Sequence, residues 1–142
     1  MKIRDIMTKS VVSLNVNDTI ERAAELMKEY NIGSVPVCEE NKVVGIITDR
    51  DIAIRSSAEG QNSKTKVVRD IMSSNPVTGS PDMDIHDVSR IMSERQIRRL
   101  PIVENGNLVG VIALGDLAVE PKCDHEAQGA LSSISETSGS VF

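Results

Sequence analysis

The stretch Gly45–Asp51, read GIITDRD, ends an aliphatic run and begins a segment with a helix-capping pattern. It returns 65 residues later as Gly110–Asp116, read GVIALGD. Outward from this pair, Lys2–Ile52 aligns with Val67–Leu117 without an insertion, and 15 of the 51 paired positions are identical. Two copies, rather than three or more, predict a pseudo-two-fold pair of units and not a solenoid.

Both copies have the same order of predicted elements, β-α-β-β-α. In the first copy, Ile20, Ala23 and Met27 recur at helical spacing, and Asn17 or Asp18 is the predicted N-cap. Two short aliphatic strands and a second helix follow, and runs such as VVGII predict sheets that helices cover on one face. Because about 50 residues bury too little surface alone, we expect an α+β or α/β fold whose two sheets pack face to face.

The repeat divides the chain into residues 1–58 and 67–119. Residues 59–66 contain Gly, Gln, Asn and Ser, which are typical of an exposed linker. Residues 120–142 form a Ser-rich tail, for which one weak amphipathic helix and disorder are both open. The apolar positions that would form this helix are Ala127, Ala130, Leu131 and Ile134.

The composition excludes several classes of protein. Hydrophobic residues make up 39% and charged residues 26%, which is typical of a soluble globular chain. The net charge of −5 disfavours a dedicated nucleic-acid binder. We find neither an apolar run long enough for a membrane span nor a secretory signal, so we expect a cytoplasmic protein. Tyr30 and Phe142 are the only aromatic residues, which predicts an aliphatic core and a ligand base held by aliphatic side chains.

No catalytic or metal-binding pattern stands out in the sequence. There is no P-loop, no G-x-G-x-x-G motif and no Ser/His/Asp set. His86 and His125 have no plausible catalytic partner, and Cys38 and Cys123 lack the spacing of metal ligands. We therefore expect a protein that is not an enzyme and that needs neither a cofactor nor a dedicated metal.

The repeated motif resembles that of a known family. Gly45–Asp51 is similar to the G-h-h-T/S-x-x-D signature of CBS domains, named after cystathionine β-synthase, and Gly110–Asp116 is the same motif with Ala113 in place of Thr. The opening R-D-I-M of each copy, the V-P-V or L-P-I strand and the tandem spacing also match. The resemblance covers about Met1–Val119 and is to a stand-alone prokaryotic CBS pair, or Bateman module.

This resemblance implies that an adenosine-type nucleotide binds in clefts between the repeats. The motif residues Asp51 and Asp116 would accept hydrogen bonds from ribose hydroxyls, and Thr48 would help to hold ribose or phosphate. Basic residues just before the L-P strand would contact phosphates. The ligand-binding residues expected on this basis are Met7, Thr8, Gly33, Ser34, Thr48, Asp51, Met72, Ser73, Arg98, Arg99, Ala113 and Asp116.

Both main features of these sites also have a purely structural interpretation. Thr48-x-x-Asp51 is a capping box, but Asp116 persists where Ala113 has removed the hydroxyl, which favours a ligand role for the acids. Arg98 and Arg99 are either solvated surface residues or phosphate ligands. They directly precede a predicted buried strand, and guanidinium groups suit phosphate oxygens, so we favour the phosphate interpretation.

The predicted function is therefore a regulatory sensor for AMP, ADP, ATP or a relative such as S-adenosylmethionine or NAD(H). Without an effector domain it would act in trans on an unidentified partner protein. The alternative is a constitutive dimerisation or scaffold module with one or both clefts empty. In either case we expect a homodimer, for which the apolar helix residues Ala23, Met27, Val88 and Met92 are the candidate interface.

Overall fold

The structure is a computed structural model, and it describes residues 1–119 and 128–134 of the chain. Helices and strands alternate in both copies of the repeat, so the predicted mixed α and β fold is confirmed. The aliphatic core is confirmed as well, because the buried apolar residues are all aliphatic or Met. Tyr30, in contrast, is exposed.

The described residues form two compact units. We call the first the first-copy unit, which comprises Val12–Pro76 with Gly106–Leu108. The second is the second-copy unit, which comprises Met1–Val11, Val77–Asn105 and the described residues from Val109 onward.

The first-copy unit is built on one β-hairpin with a strand on either side. Its elements are β1 (Leu14–Asn15), α1 (Ile20–Tyr30), β2 (Ser34–Glu39), β3 (Lys42–Thr48), α2 (Asp49–Asp51) and β4 (Ser73–Ser74). Strand β1 is parallel to β2, whereas β2 and β4 both pair antiparallel to β3. Helix α2 continues as a π-helix over Ile52–Ser57, and a 3-10 turn at Val68–Asp70 precedes β4.

The second-copy unit repeats the hairpin and its helices. Its elements are a 3-10 turn (Ile3–Asp5), α3 (Ile85–Arg95), β5 (Arg99–Glu104), the part of β6 (Asn107–Ala113) from Val109 onward, and α4 (Leu114–Val119). Strands β5 and β6 are hydrogen-bonded neighbours. In place of a strand equivalent to β1, this unit has an isolated parallel bridge between Gly79 and Ile102.

The N-cap of α1 differs from the two residues that the capping pattern predicted. Thr19 is the N-cap of α1, and its hydroxyl accepts a hydrogen bond from the Arg22 N–H at 3.1 Å. The prediction of Asn17 or Asp18 was wrong, because the Asp18 carboxylate instead accepts the Asn15 N–H at 2.8 Å in the preceding turn. In α3 the equivalent cap is Asp84.

Each opening R-D-I-M segment packs in the unit that is built mainly from the other copy of the repeat. Ile3 is fully buried in the core of the second-copy unit, where its N–H donates to the carbonyl of Met83 at 2.9 Å. Val68 is fully buried in the core of the first-copy unit, and its N–H donates to Asp18 at 2.8 Å. The two compact units therefore do not coincide with residues 1–58 and 67–119. Those ranges describe the two copies of the repeat in the sequence.

The apolar faces of the long helices are used inside their own units. Ala23, Val88 and Met92 are fully buried, and Met27 is 8% exposed. Ala23 and Met27 pack in the first-copy core, and Val88 and Met92 pack in the second-copy core. The prediction that these four residues form a dimer interface was therefore wrong, because they are not available at the surface.

Part of the tail is helical. Residues 128–134 form a helix, in which Ala130 is fully buried in the second-copy core while Leu131 is exposed. Ala127, Cys123 and His125 lie outside the described residues. In the described part of the chain, no helix has the length and hydropathy needed to cross a bilayer.

Candidate ligand-binding site

The motif of the first copy forms a complete capping box at the junction of β3 and α2. The Thr48 hydroxyl accepts the Asp51 N–H at 3.0 Å, and Oδ2 of Asp51 accepts the Thr48 N–H at 2.9 Å. The side chain of Asp51 is only 12% exposed, and its Oδ1 lies 3.8 Å from Nη1 of Arg55. Asp51 is therefore a sheltered carboxylate that is fixed through one of its two oxygens.

The motif of the second copy keeps half of this arrangement. Oδ2 of Asp116 accepts the Ala113 N–H at 2.8 Å at the start of α4, although Ala113 has no hydroxyl to complete the box. The side chain of Asp116 is half-buried. Its Oδ1 has neither a hydrogen bond nor an ion pair within the described residues.

The residues at the starts of β2 and β5 lie beside these motifs. Ser34 pairs with Thr48 across the first hairpin, and the Asp49 N–H donates to the Gly33 carbonyl at 3.0 Å. In the second copy the Leu114 N–H donates to the Arg98 carbonyl at 2.8 Å. The structure therefore places Gly33 and Ser34 next to the first motif, and the Arg98 backbone next to the second.

The Met72–Ser73 segment covers Gly45 in the first-copy unit. Ser73 pairs with Ile46, and a Cβ added to Gly45 would lie 3.0 Å from Cγ and Cε of Met72, and nearer still to its Sδ. A side chain at this position would therefore require Met72 to move, because the Met side chain fills the space above Gly45.

The Met7–Thr8 segment covers Gly110 in the second-copy unit in the same way. The N–H of Thr8 donates to the Val111 carbonyl and the Val111 N–H donates to Thr8, both at 2.9 Å. A Cβ on Gly110 would lie 2.7 Å from Sδ of Met7 and 3.0 Å from the Thr8 carbonyl oxygen.

The twelve predicted site residues thus divide equally between the units. We call the six in the first-copy unit the first cluster: Gly33, Ser34, Thr48, Asp51, Met72 and Ser73. We call the six in the second-copy unit the second cluster: Met7, Thr8, Arg98, Arg99, Ala113 and Asp116. The exchanged R-D-I-M segments bring Met7 and Thr8 to the second motif, and Met72 and Ser73 to the first.

The two clusters differ in charge. The first has Asp51 and, beside it, the exposed Asp49, whose Oδ1 accepts the Arg50 N–H at 2.8 Å. The second has the exposed Arg98 and the half-buried Arg99, neither of which forms an ion pair among the described residues. The second cluster is therefore the better suited of the two to an anionic group.

Sequence reasoning missed Arg55, which touches the first cluster from the π-helix. Its Nη1 donates to the carbonyl of Ile71 at 3.1 Å, in addition to its ion pair with Asp51. The spacing of Asp51 and Arg55, four residues apart in a predicted helix, was the signal that could have revealed the ion pair. The contact with Ile71 has no such local signal.

Other chemically reactive groups in the described residues do not converge. No group of three or more His, Cys, Asp and Glu side chains in residues 1–119 and 128–134 could hold a metal ion. Burial raises the pKa of the half-buried Cys38 thiol, which disfavours the thiolate that a nucleophile or metal ligand requires. Cys38 thus resembles a packing residue more than a reactive one.

The comparison with protein families agrees with this geometry. The family described as CBS domain matches the chain twice, at residues 3–57 and 68–121. The chain belongs to the CBS domain family. A CBS domain-containing protein of Bacillus subtilis (strain 168), YhcV, is 47% identical over 133 residues, which is 94% of this chain and 94% of the relative.

Two solved CBS structures similar to this chain contain adenosine derivatives. The CBS domain pair of protein MJ0100, in complex with 5′-methylthioadenosine and S-adenosyl-L-methionine, is 30% identical with a TM-score of 0.73, over 83% of this chain and 93% of that one. CBSX2, in complex with AMP, is 30% identical with a TM-score of 0.71, over 81% and 91% of the two chains. These CBS relatives support a regulatory, ligand-binding module.

Proposed function

We propose that this CBS protein is a sensor that binds an adenosine-containing nucleotide, such as AMP, ADP or ATP, at the first and second clusters. The observation that carries the proposal is common to both units. In each, one oxygen of the motif acid is fixed by a backbone N–H, while Oδ1 of Asp51 and Oδ1 of Asp116 make no hydrogen bond to any described residue. An oriented carboxylate with one oxygen that accepts no hydrogen bond is a suitable acceptor for ribose hydroxyls.

The basic residues support a phosphate in the second cluster. The guanidinium of Arg99 has no ion-pair partner among the described residues, and Arg98 beside it is exposed. Charge-assisted hydrogen bonds from Arg to phosphate are about twice as strong as neutral ones. We infer that phosphorylated ligands prefer the second cluster, and that the first, with Asp49 and Asp51, tolerates them less well.

The protein would act through a partner and not through catalysis. CBS matches account for residues 3–57 and 68–121, and no group of His, Cys, Asp and Glu side chains among the described residues could hold a metal ion. We infer that ligand binding changes the interaction with a separate effector protein. Self-association as a homodimer also remains a prediction, and sedimentation velocity at micromolar concentration would distinguish a dimer from a 15.4 kDa monomer.

A thermal-shift screen tests the proposal. The purified chain is heated with AMP, ADP, ATP, S-adenosylmethionine or NAD(H), and with CMP as a control that shares ribose and phosphate but not the base. A ligand at 100 times its dissociation constant stabilises the folded state by about 2.7 kcal/mol. We expect a shift with at least one adenosine ligand and a smaller one with CMP.

One observation favours a second candidate function, a constitutive scaffold. Asp51 and Asp116 both cap their helices, so the motif acids have a structural role even without a ligand. A scaffold predicts no thermal shift with any of these compounds and an assembly state that they do not alter. The same screen, followed by sedimentation with and without ligand, separates the two functions.

A further inference from the structure

Arg55 connects two parts of the first cluster that are distant in sequence. Its Nη1 lies 3.8 Å from Oδ1 of Asp51 and donates a hydrogen bond to the carbonyl of Ile71 at 3.1 Å. Ile71 directly precedes Met72 and Ser73, the segment that covers Gly45. One guanidinium group therefore touches both the motif acid and the backbone of the covering segment.

Arg55 lies in the π-helical segment of the first-copy unit. Within Ile52–Ser57 the Ala58 N–H donates to Ala53 at 3.1 Å with the wider π spacing. Such turns occur frequently at functional sites. The Asp51 side chain is only 12% exposed, so its interaction with Arg55 is screened less than that of a surface pair.

We propose that Arg55 is a positioning residue of the first cluster, which orients Asp51 toward the ligand's ribose hydroxyls and ties that carboxylate to the Met72–Ser73 backbone. The inference rests on the proposed function, and it gives Arg55 a role through Asp51 and not through the ligand itself. The 65-residue shift aligns Arg55 with Glu120, which lies outside the described residues. Within the described residues Asp116 forms no ion pair, so an equivalent link is absent from that part of the second cluster.

The test begins without ligand. Arg55→Met keeps the aliphatic length of the side chain and removes the guanidinium. Arg55→Lys keeps the positive charge but lacks the planar guanidinium with its several N–H donors. Arg50→Met is the matched control, because the hydrogen bond of Arg50 to Asp49 comes from its backbone. Amide hydrogen exchange at residues 72–75 is then measured by NMR. We expect exchange about fivefold faster in Arg55→Met, intermediate in Arg55→Lys and unchanged in Arg50→Met.

A second arm tests the effect on ligand binding. Adenosine is titrated into the chain carrying Asp116→Asn, so that the first cluster dominates the signal. Arg55→Met should weaken adenosine binding about fivefold. A loss of this size corresponds to an interaction energy near the upper end of the range for exposed ion pairs. The same change in a chain that also carries Asp51→Asn should have no further effect, because the group through which Arg55 acts is then already altered.

The outcomes separate positioning from simple structural support. The proposal is overturned if Arg55→Met leaves amide exchange at residues 72–75 unchanged. It is also overturned if Arg55→Met weakens adenosine binding equally in chains with and without Asp51→Asn. If the parent chain binds neither adenosine nor any of AMP, ADP and ATP, the proposed function fails instead. In that case the exchange measurement alone decides whether Arg55 holds the covering segment.

Discussion

The carboxylate of Asp116 accepts a hydrogen bond from the Ala113 N–H at 2.8 Å, as the carboxylate of Asp51 does from Thr48 at 2.9 Å. The acid therefore caps its helix even where the reciprocal hydroxyl is missing. The persistence of Asp116 beside Ala113 is explained by capping, so it no longer argues for a ligand role by itself. That role rests instead on the free Oδ1 and on the adenosine ligands of related CBS structures.

Substitutions at Asp116 separate capping from ligand binding. Asp116→Ala should lower the free energy of unfolding by about 1 kcal/mol, because the Ala113 N–H loses its acceptor. Asp116→Asn retains an acceptor and should cost less. Both variants should weaken nucleotide binding, since both lose the charge. Urea denaturation and titration with AMP measure the two effects, and an Asp116→Ala chain as stable as the parent would contradict the capping role.

Two glycines near the second motif should respond in opposite ways to the same substitution. Gly110→Ala places a Cβ 2.7 Å from Sδ of Met7 and 3.0 Å from the Thr8 carbonyl, and such overpacking costs about 1–3 kcal/mol. Gly115→Ala meets no atom within 4 Å and lies in α4, so it should be neutral or stabilising by up to about 1 kcal/mol. Equal effects in thermal unfolding would show that the Met7 segment does not pack on Gly110.

Much of this architecture could be predicted from local patterns. The spacing of Ile20, Ala23 and Met27 predicted α1, and the aliphatic runs predicted the two strands of each hairpin. These features depend on local periodicity and on hairpin pairing, which a short stretch of sequence encodes.

The exchange of the opening segments could not be predicted in this way. Both segments read R-D-I-M, and both present a Met to a glycine, Met7 to Gly110 and Met72 to Gly45. Because the two segments and their two sites are so similar, the sequence of a segment does not determine which site it occupies. The choice depends on contacts distant along the chain, as does the hydrogen bond from Arg55 to Ile71.

The charge difference between the clusters predicts a ranking of variants. Arg99→Ala and Asp116→Ala should each weaken AMP binding more than Thr48→Ala does. A charge-assisted hydrogen bond contributes about 1.5–3 kcal/mol, whereas a neutral hydroxyl contributes about 0.5–1.5 kcal/mol. Calorimetric titration of the three variants gives the order, with Arg95→Ala as an exposed arginine control. A greater loss for Thr48→Ala than for the other two would mean that the first cluster dominates.

The proposed function depends on binding of the ribose of an adenosine nucleotide by the two motif carboxylates. Isothermal titration of AMP into the parent chain and into the double variant Asp51→Asn/Asp116→Asn measures this contribution. Asn keeps an acceptor oxygen for the helix caps, so the fold is retained while both charges are lost. We predict saturable binding to the parent chain and at least a tenfold loss, about 1.4 kcal/mol or more, in the double variant. Absence of binding to the parent, or equal affinity in both proteins, would contradict the account.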